Sequence, residues 1–167
     1  MEGKRVKDSS VTIAQVMLPQ DANPAGNVHG GVIMKLIDTA GAVVARRHAR
    51  SNVVTASIDR LDFLHPVFVG DLLFFRSSLN MVGRTSMEIG VRVEAENLVT
   101  GEIRRTASAY LTYVSLDKDG RPQEAPPVIL ETEEEIRRNQ EARTRRETRL
   151  AERRREEKCQ LDKRSCG

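Results

Sequence analysis

The chemistry in this chain of 167 residues gathers in one short stretch. Asn27-Val28-His29-Gly30-Gly31 closes a loop rich in Pro, Gly, Asn and Asp and opens a long apolar segment. Adjacent glycines at a helix start let a ligand approach the backbone closely. The N–H groups of a first helical turn have no intrahelical acceptor, so they favour an anion or a developing oxyanion. Asp38 lies eight residues further on, in the middle of the same segment. A carboxylate on an otherwise apolar helix is costly unless paired or used, and burial tunes it for proton transfer. Each residue also has a plainer reading. Asn27 suits a helix N-cap or a turn, and Asp38 can accept from Thr39 or a loop or pair with Lys35. His29 invites a nucleophilic triad, but no Ser or Cys sits in a nucleophile elbow to complete one. His48 and His65 read as surface or turn residues.

Distance decides how the two features relate. Eight helical residues at ~1.5 Å each place Asp38 roughly 12 Å from Gly30. One chain therefore does not bring Asp38 to its own helix start. If the two form one site, two chains supply it, and an antiparallel encounter of two such helices makes two equivalent sites about a two-fold axis.

The element that must carry Asp38 spans residues 30–49. Val32, Ile33, Leu36, Ile37, Ala40, Val43 and Val44 have helical spacing, while Met34, Ala42 and Ala45 fill most of the remaining face. A helix apolar nearly all round is a buried helix. Around it lie strand candidates at 11–18, 53–63, 71–82, 87–96 and 103–114. The clearest alternates Met87, Ile89, Val91, Val93 and Ala95 with Glu88, Arg92, Glu94 and Glu96, the pattern of a half-buried antiparallel strand. Short connections between the later strands favour antiparallel neighbours. The expectation is an α+β domain, a long buried helix wrapped by a five-stranded antiparallel sheet. Its parts are a polar lead-in over 1–9, the domain over 10–116, a turn and Pro-rich linker over 117–130, and a charged helix and tail over 131–167.

Composition narrows the partners. The 27 Lys and Arg are nearly matched by 24 Asp and Glu, which argues against a dedicated nucleic-acid binder with a one-signed basic face. The two cysteines, Cys159 and Cys166, lie in the polar tail, and no metal-ligand spacing exists. The N-terminus lacks a signal-peptide core, and the run 32–45 is too short to span a bilayer and contains Lys35 and Asp38. A reducing cytoplasm is the expected setting, with no stable membrane insertion. The tail carries Glu133 with Arg137, Glu134 with Arg138 and Glu141 with Arg145 as i,i+4 pairs. It has no sustained heptad seam, so it is expected to be a solvated helix.

The run from Leu18 to Gly41 closely resembles the cytosolic (brain-type) acyl-CoA hydrolases and their bacterial relatives with one domain, the hotdog-fold acyl-CoA thioesterases. The similarity continues through Asp62-Phe63-Leu64-His65-Pro66, Val69-Gly70-Asp71, Val82-Gly83-Arg84-Thr85-Ser86, Glu96-Asn97-Leu98-Val99-Thr100-Gly101 and Pro126-Pro127-Val128. The resemblance implies a hotdog dimer, assembling further as a trimer of dimers, with fatty acyl-CoA as substrate, fatty acid and CoA as products, and no cofactor or metal. It also implies that the helix acid of one protomer meets the Asn and helix N-terminus of its partner. Asp38 and Asn27 match those positions. The N–H groups of Gly30 and Gly31 would polarise the thioester carbonyl, with His29 beside them, and Asp38 would act as general base or nucleophile. Arg84, Thr85 and Ser86 fall where related enzymes hold the nucleotide portion of CoA. The alternative is a non-catalytic acyl-CoA sensor on the same fold, because function resides in the site rather than the fold.

Overall fold

In the computed structural model, residues 1–165 are described, with side chains to residue 160. The last two residues of the tail, including Cys166, lie outside the described residues. In chain order the elements are β1 (Lys4–Arg5), α1 (Val6–Ser9), β2 (Val11–Val16), a 3₁₀ turn (Pro19–Asp21), α2 (Gly30–Ala49), β3 (Asn52–Phe63), β4 (Asp71–Val82), β5 (Ser86–Asn97), β6 (Ile103–Leu116), β7 (Val128–Ile129) and α3 (Glu133–Ser165).

Five strands form an antiparallel sheet in the order β2-β4-β5-β6-β3. The helix α2 packs across its inner face and touches all five. The alternation read in β5 is the reason: Met87, Ile89, Val91, Val93 and Ala95 are at most 2% exposed and meet Ile33, Ile37, Ala40, Val44 and Ala45 of α2 in one core. Helix α2 ends at Arg50 in the left-handed conformation, with Arg46 and Arg47 in its last turn, where positive charge suits the dipole.

Two expectations for the domain change. Helix α2 is not buried all round within one chain: Gly31, Met34, Lys35 and Thr39 are exposed and Asp38 is half-buried. Its open face adjoins β3, an edge strand of the sheet, which carries the exposed apolar residues Val54, Ile58 and Phe63. His48 is not a surface residue. It is fully buried, its Nε2–H donates to the Pro126 carbonyl at 2.7 Å, and its Nδ1 has no partner among the described residues. Burial lowers its pKa. The lead-in is also structured, because β1 pairs in parallel with β7 and buries Val6 just beyond it.

The charged tail differs most. The first half of α3 lies on the outer face of the sheet, and polar side chains dock it. Asn139 donates to the Asn80 carbonyl at 2.9 Å. Arg145 bonds Glu88, which is 1% exposed, at 2.7 Å and stacks over the Tyr110 ring at 3.7 Å. Arg149 pairs with Asp59. Among the described residues of α3, Ala142 is the one apolar residue that is fully buried. The missing apolar seam hid this docking, since buried polar groups can hold a helix where each finds its partner.

Candidate active site

Helix α2 positions Asp38 at mid-length, over the β3–β6 pair. Thr55 on β3 donates to Asp38 Oδ1 at 2.6 Å. Tyr113 on β6, paired in register with Thr55, donates its hydroxyl proton to the Asp38 carbonyl at 2.8 Å and to Oδ1 at 3.2 Å. One carboxylate oxygen is thereby held by two hydroxyl donors, while Oδ2 has no hydrogen-bond partner among the described residues. Burial first, and the Asp38 charge next, push the Tyr113 phenol well above its ordinary pKa. It therefore remains a donor across the working pH range. Gly41, one turn beyond Asp38, makes room for this ring: a Cβ there would lie 2.4 Å from the Tyr113 Oη.

The helix start is built differently. The loop before it folds back through an Ala22–Val28 bridge and an Asn27–Phe68 bridge. The Asn23 N–H donates to the Asn27 carbonyl at 2.7 Å, and the Asn23 carbonyl accepts from Gly26 at 3.0 Å. Gly26 has φ +89°, a conformation open chiefly to glycine. Asn23 Oδ1 accepts from the Ala25 N–H at 2.9 Å, leaving its amide NH₂ without a partner among the described residues. His29 is the N-cap by backbone but makes no side-chain cap bond. The N–H groups of Gly30 and Gly31 have no acceptor among the described residues, and a Cβ at Gly31 would meet nothing within 4 Å.

Asp38 and the helix start do not meet within the chain. The hydrogen bonds of Asp38 run to Thr55 and Tyr113, whereas the neighbour of Gly30 is Phe63 at the other end of β3, 3.5 Å from a Cβ at that glycine. Thr55 and Tyr113 went unread in the sequence. One signal pointed to them: a glycine in the interior of an apolar helix, which is destabilising unless something packs against it.

Gly83, Arg84 and Thr85 form the β4–β5 turn, and Ser86 opens β5. The Gly83 N–H donates to the Ser86 carbonyl at 2.7 Å, the Thr85 carbonyl accepts from Ser115 and the Arg84 carbonyl accepts from Ala125. The Arg84 side chain is exposed. Ser86 pairs with Val114, and Val114 with Val54. The turn thus stands two strand spacings, ~10 Å, from the start of β3 and close to Thr55. Among the described residues no cluster of metal-ligating side chains occurs, and no helix is long and apolar enough to cross a membrane.

Known proteins share this fold. Residues 25–102 match the family model described as the thioesterase superfamily. The chain is 41% identical over 135 residues to the uncharacterized acyl-CoA thioester hydrolase YkhA of Bacillus subtilis, covering 81% of this chain and 78% of that one. It belongs to the thioesterase superfamily. Its fold is the hotdog fold that the sequence resemblance implies. An acyl-CoA thioesterase solved as an apo-hexamer superposes with TM-score 0.87 at 40% identity, covering 91% of this chain and 97% of that one. The Staphylococcus aureus acyl-CoA hydrolase, solved with butyryl coenzyme A, coenzyme A and coenzyme A disulfide, superposes with TM-score 0.86 at 34% identity, covering 95% and 96%. That enzyme has also been solved with alanine replacing one Asp, one Asn and one Thr. In its chain the Asn precedes the Asp by fifteen residues and the Thr follows the Asp by seventeen.

Proposed function

We propose that this thioesterase-superfamily protein hydrolyses fatty acyl-CoA to free fatty acid and CoA, at sites shared between two protomers. The observation that carries the reading is the setting of Asp38. Its carboxylate is fixed through Oδ1 by Thr55 and Tyr113, Oδ2 has no hydrogen-bond partner among the described residues, and the half-buried Asp38 lies on α2 beside the exposed Met34, Lys35 and Thr39. As general base, Oδ2 takes a proton from water as the water oxygen bonds to the thioester carbon. The carbonyl oxygen becomes an oxyanion, held by the N–H groups of the partner's Gly30 and the partner's Gly31, where a helix start favours negative charge. Collapse breaks the C–S bond, and the proton returns to the CoA sulfur.

The free edge of β3 supplies the geometry. An unpaired edge strand of twelve residues with exposed Val54, Ile58 and Phe63 is built to be covered. Antiparallel pairing of two β3 strands about a point near Asp59 sets Thr55 of one protomer opposite the partner's Phe63, which adjoins the partner's Gly30. Such a pair is the dimer; a trimer of dimers accords with the hexameric neighbour.

Spacing favours Asn23 over Asn27 as the amide at this site. Asn23, Asp38 and Thr55 reproduce the fifteen- and seventeen-residue intervals of the three positions varied in the S. aureus enzyme. Asn23 also has its NH₂ free to hold water or the oxyanion. Asn27 then serves as the loop's bridge to Phe68, and His29 borders the acyl entrance.

Free-thiol release from a panel of acyl-CoAs tests the reading, with wild type, Asp38→Ala, Asn23→Ala and Asn27→Ala side by side. Turnover should vanish in Asp38→Ala and fall ~10²-fold or more in Asn23→Ala, with Asn27→Ala affected far less. Binding of acyl-CoA without turnover in wild type would favour the sensor alternative.

A further inference from the structure

The geometry points to α3 as part of the substrate site: Arg146 joins Arg84 at the β4–β5 turn to hold the phosphates of CoA. This rests on the acyl-CoA reading above, but its evidence is separate. Four arginines of α3 are half-buried against the sheet: Arg138, Arg145, Arg146 and Arg149. Three have carboxylates. Arg138 pairs with Glu134, Arg145 with Glu88 and Arg149 with Asp59. Arg146 has no ion pair or hydrogen bond among the described residues. Its helical neighbours at i±3 and i±4 are Ala142, Arg143, Arg149 and Leu150, so its own helix offers it no acid.

Arg146 also lies in a telling place. Its Nε is 3.8 Å from the Cβ position of Gly83, and the Ser86 hydroxyl is 3.1 Å from that same point. The turn therefore presents two guanidinium groups without carboxylate partners, Arg84 and Arg146, together with the Ser86 hydroxyl. It borders a cleft of about 1000 Å³ that runs between α3 and β3 and is lined by both Ser86 and Arg146. A half-buried guanidinium kept without an anion costs free energy, and a phosphate accepting its planar fork of donors removes that cost. The Gly83–Arg146 contact makes the docking of α3 a condition for the phosphate clamp. The contacts of Arg145 with Glu88 and of Asn139 with Asn80 act as positioning interactions, because they hold α3 at the height that brings Arg146 to the turn.

The test compares Arg146→Ala with wild type on butyryl-CoA and on butyryl-pantetheine, which lacks the nucleotide phosphates, together with direct calorimetric binding of CoA. The expected result is about a tenfold rise in KM for butyryl-CoA and about a tenfold weaker CoA binding, with kcat little changed and butyryl-pantetheine kinetics unaltered. Arg146→Lys should recover part of the loss, and added salt should shrink the difference. Unchanged KM and CoA affinity in Arg146→Ala would overturn the proposal. So would an equal loss on butyryl-pantetheine, which would mark a structural role. If wild type turned over neither ester yet Arg146→Ala still weakened CoA binding, the hydrolase reading would fail and the clamp would stand.

Discussion

Replacing Gly41 by alanine isolates the contact that holds Asp38 in place. The new Cβ would fall 2.4 Å from the Tyr113 hydroxyl and 3.0 Å from two ring carbons. The ring has nowhere to go: Tyr113 is fully buried, and its hydroxyl is committed to Asp38. Alanine in a helix interior gains ~1 kcal/mol over glycine. Overpacking a filled core costs about 1–3 kcal/mol, and freeing the hydroxyl from Asp38 costs ~1 kcal/mol more. The net loss is about 1–3 kcal/mol, which lowers Tm by roughly 3–10 °C for a chain of this size. Because Tyr113 and Thr55 share the same carboxylate oxygen, the displaced ring lets Asp38 turn, and misplacement near 1 Å can cost ~10²-fold in kcat/KM. Thermal melts and thioester hydrolysis on Gly41→Ala read both effects. Tyr113→Phe in the same background removes the nearest atom of the clash, so the double variant should lose less stability than the two single losses added together. A Gly41→Ala protein at least as stable as wild type, with unchanged kcat/KM, would refute the reasoning.

Further outcomes follow from other contacts. His48 is held neutral by burial, so its folded pKa lies below that of the unfolded chain. The unfolded state then binds more protons, and stability should fall as pH drops below the unfolded value of ~6.5. Melts from pH 7.5 to 5.5 should show this decline, and His48→Gln should flatten it; an unchanged slope would locate the pH dependence elsewhere. Arg145→Ala leaves Glu88 without its cation beneath α3, at a cost of up to about 3 kcal/mol. Hydrogen exchange should speed up across residues 137–150 while β5 stays protected, and unchanged protection of α3 would count against polar docking. Ile58→Glu places a charge on the open edge of β3. Light scattering should report loss of the dimer, with turnover lost alongside; an active monomer would contradict a shared site.

The legibility of this chain followed the physics of each element. The inner face of β5 was plain because alternation has a strict period, and Met87 through Ala95 obey it. The glycine pair at 30–31 and the acid at 38 were plain because each is out of place in an apolar run. Thr55 and Tyr113 were hidden because their link to Asp38 spans 17 and 75 residues, and no local pattern encodes such a contact. His48 read as a surface or turn residue because it ends a helix beside two arginines, yet the strap carrying Pro126 covers it. The docking of α3 escaped hydrophobic periodicity because Asn139, Arg145 and Arg149 provide it.

The all-round apolar pattern of α2 has an explanation beyond the single chain. Its buried face, Ile33, Ile37, Ala40, Gly41, Val44 and Ala45, is accounted for by the sheet. Met34, 40% exposed, and Gly31 lie outside that face, and the open side of the helix adjoins the uncovered apolar residues of β3. Exposed apolar surface rimmed by polar groups marks an interaction site. The free Oδ2 of Asp38 and the free N–H groups of Gly30 and Gly31 belong to the same open side of the chain. Under the proposed function, the demand for a second protomer arises twice, from apolar surface left uncovered and from a proposed base and anion hole that one chain keeps apart. The proposed two-fold pairing through β3 would meet both demands at once. On that proposal, the residues that carry the chemistry and those that drive assembly share one helix and one strand.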